Sequence, residues 1–155
     1  MKKRTYLLTL VALFAAATAC FAAEDVNMGT WKLNEAKSKI GPGMPKNTTV
    51  VYAAAGDSVK ITVDGVDADG KSVHNEWTGK FDGKDYPVTG DSSSDTRAYK
   101  RVNDHTLEIT NKKGGTVTTT ARVVVSADGK NRTVTAHGKD AKGMKISSTS
   151  VYDKQ

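Results

Sequence analysis

Short runs of alternating apolar and polar residues dominate the chain after residue 45. Val59, Ile61 and Val63 alternate with polar residues, and the same period recurs over 71–81 and 116–126. A period of two places every second side chain on one face of a strand, whereas an amphipathic helix repeats about every 3.6 residues. The runs are separated by sequences that favour tight hairpin turns: Asp69-Gly70-Lys71, Asp82-Gly83-Lys84, Lys113-Gly114-Gly115, Asp128-Gly129-Lys130 and Lys142-Gly143. The pattern therefore predicts an all-β chain of antiparallel hairpins.

The runs predict eight to ten strands in an up-and-down meander. The expected strands are residues 28–34, 47–55, 58–66, 71–81, 84–89, 96–102, 105–111, 116–126, 131–138 and 144–152. This number suits a closed barrel, which leaves no strand edge exposed. A two-sheet β-sandwich is the alternative, although sandwiches usually contain longer crossing connections. Helix is expected only as one turn within 34–39, and the loop 90–96 is expected to bury no side chain.

Residues 1–23 have the composition of a signal peptide. Three cations at positions 2–4 precede an apolar run over 6–17 that ends in small residues. This run is shorter than the roughly 20 apolar residues of a membrane-spanning helix, so no transmembrane segment is predicted. The expected location is periplasmic or secreted. Cleavage after Ala22 would remove Cys20, whereas cleavage before Cys20 would expose a thiol that can carry a lipid anchor, as in bacterial lipoproteins.

The remaining residues, 24–155, are expected to form a single barrel domain. They contain no cysteine pair, so stability has to come from the core and the strand hydrogen bonds instead of disulfides. Residues 1–23 hold three cations and no acid, and subtracting these cations from the formal net charge of +6 leaves +3. So small an excess does not indicate a nucleic-acid partner.

The first predicted strand carries Gly29-Thr30-Trp31, which resembles the Gly-x-Trp motif of the lipocalins and related calycin barrels. The resemblance implies structural roles for Gly29 and Trp31, with the tryptophan at the closed end of a barrel. It also implies an arginine packed across that tryptophan, and either Arg122 or Arg132 can supply it. A wider resemblance, to small exported bacterial proteins of unknown function, rests on residues 31–39, 82–88 and 151–154. It implies a lipocalin-like shape and transfers no catalytic residue.

The histidines and aspartates do not predict a metal or catalytic site. His74, His105 and His137 could bind zinc together with Glu76 only if they converged. However, His74 and Glu76 fall on the opposite face of their strand from Trp77 and are expected to face water. No Gly-x-Ser-x-Gly motif is present, and turn formation explains the aspartate clusters. We therefore predict no metal, no cofactor and no enzymatic activity.

The predicted inward face mixes aromatic residues with small ones. A barrel of about eight strands is just wide enough to hold one small ligand or to be filled by side chains. Small or polar inward positions favour the ligand: Asn75, Gly79, Thr119, Ala121, Ala136, Ser148 and Ser150. The predicted ligand-binding residues are Trp77, Phe81, Tyr99 and Val123. Further candidates for an aromatic lining or rim are Tyr52, Tyr86 and Tyr152.

Two functions remain open at this point. The first is an exported, non-enzymatic barrel that binds a small, partly apolar or lipophilic ligand. The alternative is a cavity-free structural or interaction module of the cell envelope. Such a module would act through a weakly basic outer face, for which the candidate residues are Lys37, Lys39, Lys46, Lys112, Lys113 and Lys130.

Overall fold

The computed structural model describes residues 24–140 and 142–155. The predicted signal peptide, residues 1–23, and the candidate lipid anchor at Cys20 lie outside this part of the chain. Within it, no helix has the length and apolar composition of a membrane span. One 3-10 turn, Glu35–Lys37, falls inside the single helical turn expected over 34–39. The strands are β1 (Gly29–Leu33), β2 (Lys39–Ile40), β3 (Lys46–Ala55), β4 (Ser58–Val66), β5 (Ser72–Gly79), β6 (Asp82–Thr89), β7 (Thr96–Asn103), β8 (Thr106–Lys113), β9 (Thr116–Val125), β10 (Asn131–Lys139) and β11 (Lys145–Lys154).

The strands form one antiparallel sheet that closes on itself. From β3 to β11 each strand pairs with the next one in the chain, and β1 pairs with both β3 and β11. The closing register places Trp31 opposite Lys154 and Leu33 opposite Tyr152. The short β2 lies outside the ring and pairs with β11. Ten strands therefore form a closed up-and-down barrel, which confirms the predicted fold and excludes the sandwich.

The turn residues act locally to end each strand. The Asp67 carboxylate accepts hydrogen bonds from the backbone N–H groups of Asp69 and Lys71, both at 2.9 Å. Gly114 and Gly115 have φ angles of 55° and 80°, and a two-residue type I′ hairpin needs positive φ at both central positions. These contacts explain why the observed strand ends lie close to those expected from the turn sequences.

Side-chain alternation separates the interior of the barrel from its surface. On β5, Asn75 and Trp77 are buried, whereas His74 is exposed and Glu76 is partly exposed. The predicted faces of this strand are therefore confirmed. The largest fully buried apolar side chains are Trp31, Ile61, Trp77, Leu107 and Val123.

The two ends of the barrel differ. At one end, residues 24–28 pack beside the start of β1, and Trp31 donates from Nε1 to the carbonyl oxygen of Asn27 at 2.9 Å. Asn27 is fully buried and donates from Nδ2 to the carbonyl oxygen of Asp104 in the β7–β8 turn. We call this the closed end. The opposite end is bordered by the segment before β3 and by the turns after β4, β6, β8 and β10, and we call it the mouth.

One loop at the mouth is more ordered than expected. The Asp91 carboxylate accepts hydrogen bonds from the backbone N–H and hydroxyl of Ser93, at 2.9 and 2.7 Å, and from the hydroxyl of Ser94. Ser94 is only 1% exposed. The prediction that no side chain in 90–96 is buried is therefore wrong, because a carboxylate gathers this polar loop against the barrel.

Candidate functional site

A cavity of about 500 Å³ occupies the barrel interior and reaches the mouth. It exists on the side formed by β9, β10 and β11 because small side chains stand in register there. Ala121 lies opposite Ala136, which lies opposite Ser148. No large side chain from these three positions fills the interior, so their row leaves open space between the barrel walls.

The deep part of the cavity contains a caged cation. Arg132 is the first buried residue of β10, and its guanidinium carbon lies over three aromatic rings. The distances to the ring centroids are 4.8 Å for Trp31, 4.8 Å for Tyr52 and 4.9 Å for Tyr152. Aromatic faces attract cations at such distances. The cage holds the guanidinium in place where β1, β3, β10 and β11 come together.

The polar atoms of Arg132 are incompletely satisfied. The residue is 2% exposed, and its Nε and Nη1 atoms have no hydrogen-bond partner among residues 24–140 and 142–155. Over the same residues, no carboxylate forms an ion pair with it. Buried charges in proteins are normally paired, because removal from water disfavours the ionised form. Arg132 is therefore an exception that needs an explanation.

The middle of the cavity is predominantly apolar. Val50 and Val63 line it from β3 and β4, and Ile109, Val123 and Val134 line it from the opposite wall. These side chains offer dispersion contacts and a water-excluding surface but no hydrogen bonds. This section would therefore accept the apolar body of a bound molecule.

A second arginine lies near the mouth and is fully engaged. Arg97 donates from Nε to Oδ1 of Asn111 at 2.6 Å, from Nη1 to Oδ1 of Asn75 at 3.2 Å and from Nη2 to Asp91 at 3.0 Å. Burial acts to raise the pKa of Asp91, but the hydrogen bonds from the two neighbouring serines and the charge of Arg97 outweigh it and hold this pKa below its usual range. The Arg97 cluster is thus neutralised from within the protein.

The four predicted ligand-binding residues are brought together, but they do not all line the cavity. Tyr99 and Val123 contribute to its wall. Trp77 packs behind Tyr99, with ring centroids 4.6 Å apart, and Phe81 lies 5.8 Å from Tyr99. Trp77 also donates from Nε1 to the carbonyl oxygen of Arg97 at 2.8 Å. Ligand contact stays a prediction for all four, and the geometry gives Trp77 and Phe81 the position of supports for Tyr99.

The other predicted aromatic residues divide in the same way. Tyr52 and Tyr152 line the cavity beside Arg132. Tyr86 instead packs edge-on against Trp77, at 5.7 Å between ring centroids, and its hydroxyl donates to Asp82. Tyr86 therefore belongs to the aromatic packing behind the wall.

The Gly-x-Trp motif lies at the closed end, as the resemblance implied. Of the two candidate arginines, Arg132 packs across Trp31, whereas Arg122 is exposed and pairs with Glu108 at 3.1 Å. Gly29 has a φ angle of 107°, and a Cβ atom there would lie 3.0 Å from Cε of Lys154. The positive φ is the reason that this position favours glycine, because the end of the lysine side chain can move away from an added Cβ atom.

The histidines lie away from the cavity. His74 is exposed and contacts Asp64 at 2.6 Å, and the hydrogen bond with this carboxylate raises the pKa of His74 above its ordinary value. His105 contacts the carbonyl oxygen of Val125, and His137 is exposed. Within the described ranges, no group of three or more potential metal ligands comes together.

The sequence did not predict a ligand-binding role for Arg97, Asn111 or Arg132, although the lipocalin resemblance implied a packing role for Arg122 or Arg132. The alternation does place two of them inside the barrel. Arg97 lies on the same strand face as Tyr99, and Arg132 lies on the same face as Ala136. A charged side chain at an inward position indicates either an internal partner or a ligand. The alternation alone does not distinguish these two cases.

The fold and the cavity together define a class, the lipocalin-like up-and-down barrel with one open end. No family model matches the chain, and no curated protein matches it. The chain is similar to the solved structure of EF1p2_mFAP2b bound to DFHBI, with 12% identity, a TM-score of 0.50, and coverage of 84% of this chain and 94% of that chain. It is also similar to a redesigned β-barrel, mFAP1, bound to DFHBI, with 14% identity, a TM-score of 0.42, and coverage of 83% and 95% respectively. At these identities the likeness concerns the fold alone.

Proposed function

We propose that this protein is a non-enzymatic binding protein that holds one small, partly apolar ligand inside its barrel. The observation that carries the proposal is the cavity of about 500 Å³ with an apolar middle and polar ends. Small-molecule sites usually measure about 300–1,000 Å³ and combine an apolar wall with a few polar groups. The cavity argues against the alternative of a filled barrel that acts only through its outer surface.

The proposal of a non-enzymatic role is supported by the chemistry of the cavity wall. The histidines lie outside the lining. Of the four carboxylates in it, Asp91 is engaged by Arg97 and two serines, and Asp67, Asp69 and Asp140 lie in the turns at the mouth. A general base or nucleophile needs a free, activated group facing the substrate. EF1p2_mFAP2b is bound to DFHBI, so a barrel of similar fold can bind a small molecule. The identity of that molecule does not transfer to this chain.

We also propose that the protein acts outside the cytoplasm, in the periplasm or as a secreted protein. The support is the composition of residues 1–23, with cations before an apolar run. Anchoring through a lipid on Cys20 is the alternative form of this proposal. Mass measurement of the mature N-terminus distinguishes cleavage before Cys20 from cleavage after Ala22.

The binding proposal is tested by filling the cavity. Ala121 lines it and lies opposite both Ile109 and Ala136, so Ala121→Phe would place a ring in the open space. Thr120→Phe adds the same ring at the adjacent exposed position of β9 and serves as the matched control. We expect N-phenyl-1-naphthylamine to bind the wild type and Thr120→Phe with enhanced fluorescence. Ala121→Phe should bind this probe at least about tenfold more weakly.

Native mass spectrometry of the three proteins, purified from the source organism, gives a second readout. We expect additional bound mass on the wild type and the control, and its loss from Ala121→Phe. Circular dichroism establishes that each variant is folded. A wild type that carries no ligand and does not enhance the probe's fluorescence would refute the proposal, as would unchanged probe affinity in folded Ala121→Phe.

A further inference from the structure

The caged arginine at the deep end of the cavity lacks a counter-ion. Three aromatic rings surround Arg132, yet two of its nitrogen atoms have no acceptor among the described residues. Aromatic faces attract the charge but do not replace the acceptors that water would supply. Arg132 is one of the residues that line the cavity, so an unpaired positive charge lies at its deep end.

Neighbouring groups do not neutralise this charge. Burial raises the pKa of the Tyr152 hydroxyl, although the adjacent Arg132 acts in the opposite direction, and burial also raises the pKa of the Tyr99 hydroxyl. Both hydroxyls therefore stay neutral at physiological pH. The largely buried carboxylate of Asp91, whose side chain is 15% exposed, is already paired with Arg97 near the mouth. The missing negative charge has to come from outside the described chain.

We propose that Arg132 is an anion-binding residue and that the ligand is a small amphiphile with a single acidic group, such as a carboxylate or sulfonate. This proposal rests on the proposed function and names the chemistry of its ligand. A guanidinium binds oxyanions through charge-assisted and often bidentate hydrogen bonds. The acidic group lies at the deep end, beside Arg132.

The arrangement of the cavity fixes the orientation of the ligand. Val63, Val123 and Val134 line the middle section, between Arg132 and the polar cluster around Arg97. An apolar body fits this section, and a polar substituent at its far end can contact Asn111. Arg97 is less suited to the acidic group, because each of its three nitrogen atoms already donates to a side-chain oxygen.

The mouth carries both signs of charge and does not oppose this orientation. Asp67, Asp69, Asp140 and Lys139 line the cavity there. The carboxylates of Asp67 and Asp140 accept hydrogen bonds from the backbone of their own turns. Exposed charges are screened over about 8 Å at physiological salt. The buried charge of Arg132 therefore remains the stronger influence on a molecule inside the barrel.

The test compares two probes with nearly the same aromatic body. The anionic probe is 1-anilinonaphthalene-8-sulfonate, and the neutral probe is N-phenyl-1-naphthylamine. The quantity measured is the ratio of their dissociation constants, neutral over anionic, for each protein. The ratio cancels changes in cavity size and apolar contact that affect both probes equally.

The variants separate the charge at the site from the overall charge. Arg132→Gln removes the cation, and Arg132→Lys retains it. Arg122→Gln is the matched control, because Arg122 is exposed on the outer face of β9 and its loss changes the net charge equally. We expect the ratio to fall about tenfold in Arg132→Gln, to change less than about threefold in Arg132→Lys, and to stay at the wild-type value in Arg122→Gln.

Each outcome is informative about one of the two proposals. If both probes bind but the ratio is the same in the wild type and Arg132→Gln, anion recognition by Arg132 is refuted and the cavity proposal stands. If neither probe binds the wild type and native mass spectrometry finds no bound ligand on it, the binding function itself is refuted, and the anion proposal with it. If Arg132→Gln does not fold, Arg132→Lys and a displacement experiment on the wild type decide. Decanoate should displace the anionic probe, and decanol should not. Equal displacement by both would overturn the proposal.

Discussion

Replacing Asp91 by asparagine should destabilise the barrel by about 3 kcal/mol. The Asp91 carboxylate pairs with Arg97 at 3.0 Å, and the two side chains are only 15% and 9% exposed. Breaking a buried pair by removing one charge costs about 3–5 kcal/mol, because the remaining charge stays buried without compensation. Asparagine keeps one oxygen that can accept from Ser93 or Ser94, so the lower end of this range is expected.

The assay is urea unfolding at pH 7, followed by tryptophan fluorescence. Trp77 reports on the site because it donates to the carbonyl oxygen of Arg97. The control is Asp85→Asn, which breaks a more exposed pair with Lys112 and should cost about 0–1 kcal/mol. Equal losses of unfolding free energy in Asp85→Asn and Asp91→Asn would show that burial does not strengthen the Asp91–Arg97 pair.

The same substitution should alter the acid sensitivity of the protein. The pKa of Asp91 is lowered in the folded state, relative to an ordinary value of about 3.9. The carboxylate therefore stabilises the fold fully above its unfolded pKa, and this contribution is lost as the pH falls through the folded pKa. Urea unfolding curves should be measured between about pH 5 and pH 2. The free energy of unfolding should fall less over this range in Asp91→Asn than in the wild type.

Three further experiments test the core, an exposed charge pair and the first strand. Leu107→Ala removes a side chain that is 0% exposed and should lower the free energy of unfolding in urea by about 2–5 kcal/mol. Val117→Ala, at a residue that is 51% exposed, is the control and should change it by no more than about 0.5 kcal/mol. The pKa of His74, measured by NMR titration, should lie above about 6.5 and fall in Asp64→Asn, because the hydrogen bond with Asp64 favours the imidazolium; an unchanged value would contradict this cause. Gly29→Ala should cost about 1–3 kcal/mol in thermal or urea unfolding, because its φ of 107° disfavours a side chain.

The strands were predictable because their signals are local. Alternation sets the faces of a strand, and the Asp-Gly and Gly-Gly sequences set its ends. The pairing of β1 with β11, which closes the barrel, joins residues such as Trp31 and Lys154. A contact over this sequence distance leaves no local pattern, so its prediction depended on the strand number and on the Gly-x-Trp resemblance.

The candidate site was predictable only in part. Parity correctly places Tyr99 and Val123 inside, and both line the cavity. The alternation of faces does not give the position of a residue along the barrel axis, which depends on the stagger between strands. Trp77 and Phe81 therefore share the interior without lining the cavity. For Arg132, the sequence gives the inward face but not the absence of a partner, which only the assembled barrel reveals.

The burial of Ser94 was missed for a related reason. A stretch of glycine, serine and aspartate offers little apolar area, and the sequence therefore predicts an exposed loop. In the structure, Asp91 accepts hydrogen bonds from this loop and from Arg97 on the next strand. A single side chain that connects the loop to a partner on the following strand overrides the composition of the loop.

The most direct measurement is a crystal structure of the protein purified from its source organism without a denaturing step. We expect electron density for one small molecule in the cavity between Arg97 and Arg132, with an acidic group against the Arg132 guanidinium. An interior filled by protein side chains, or a barrel whose cavity contains only water in protein that has never been unfolded, would contradict it.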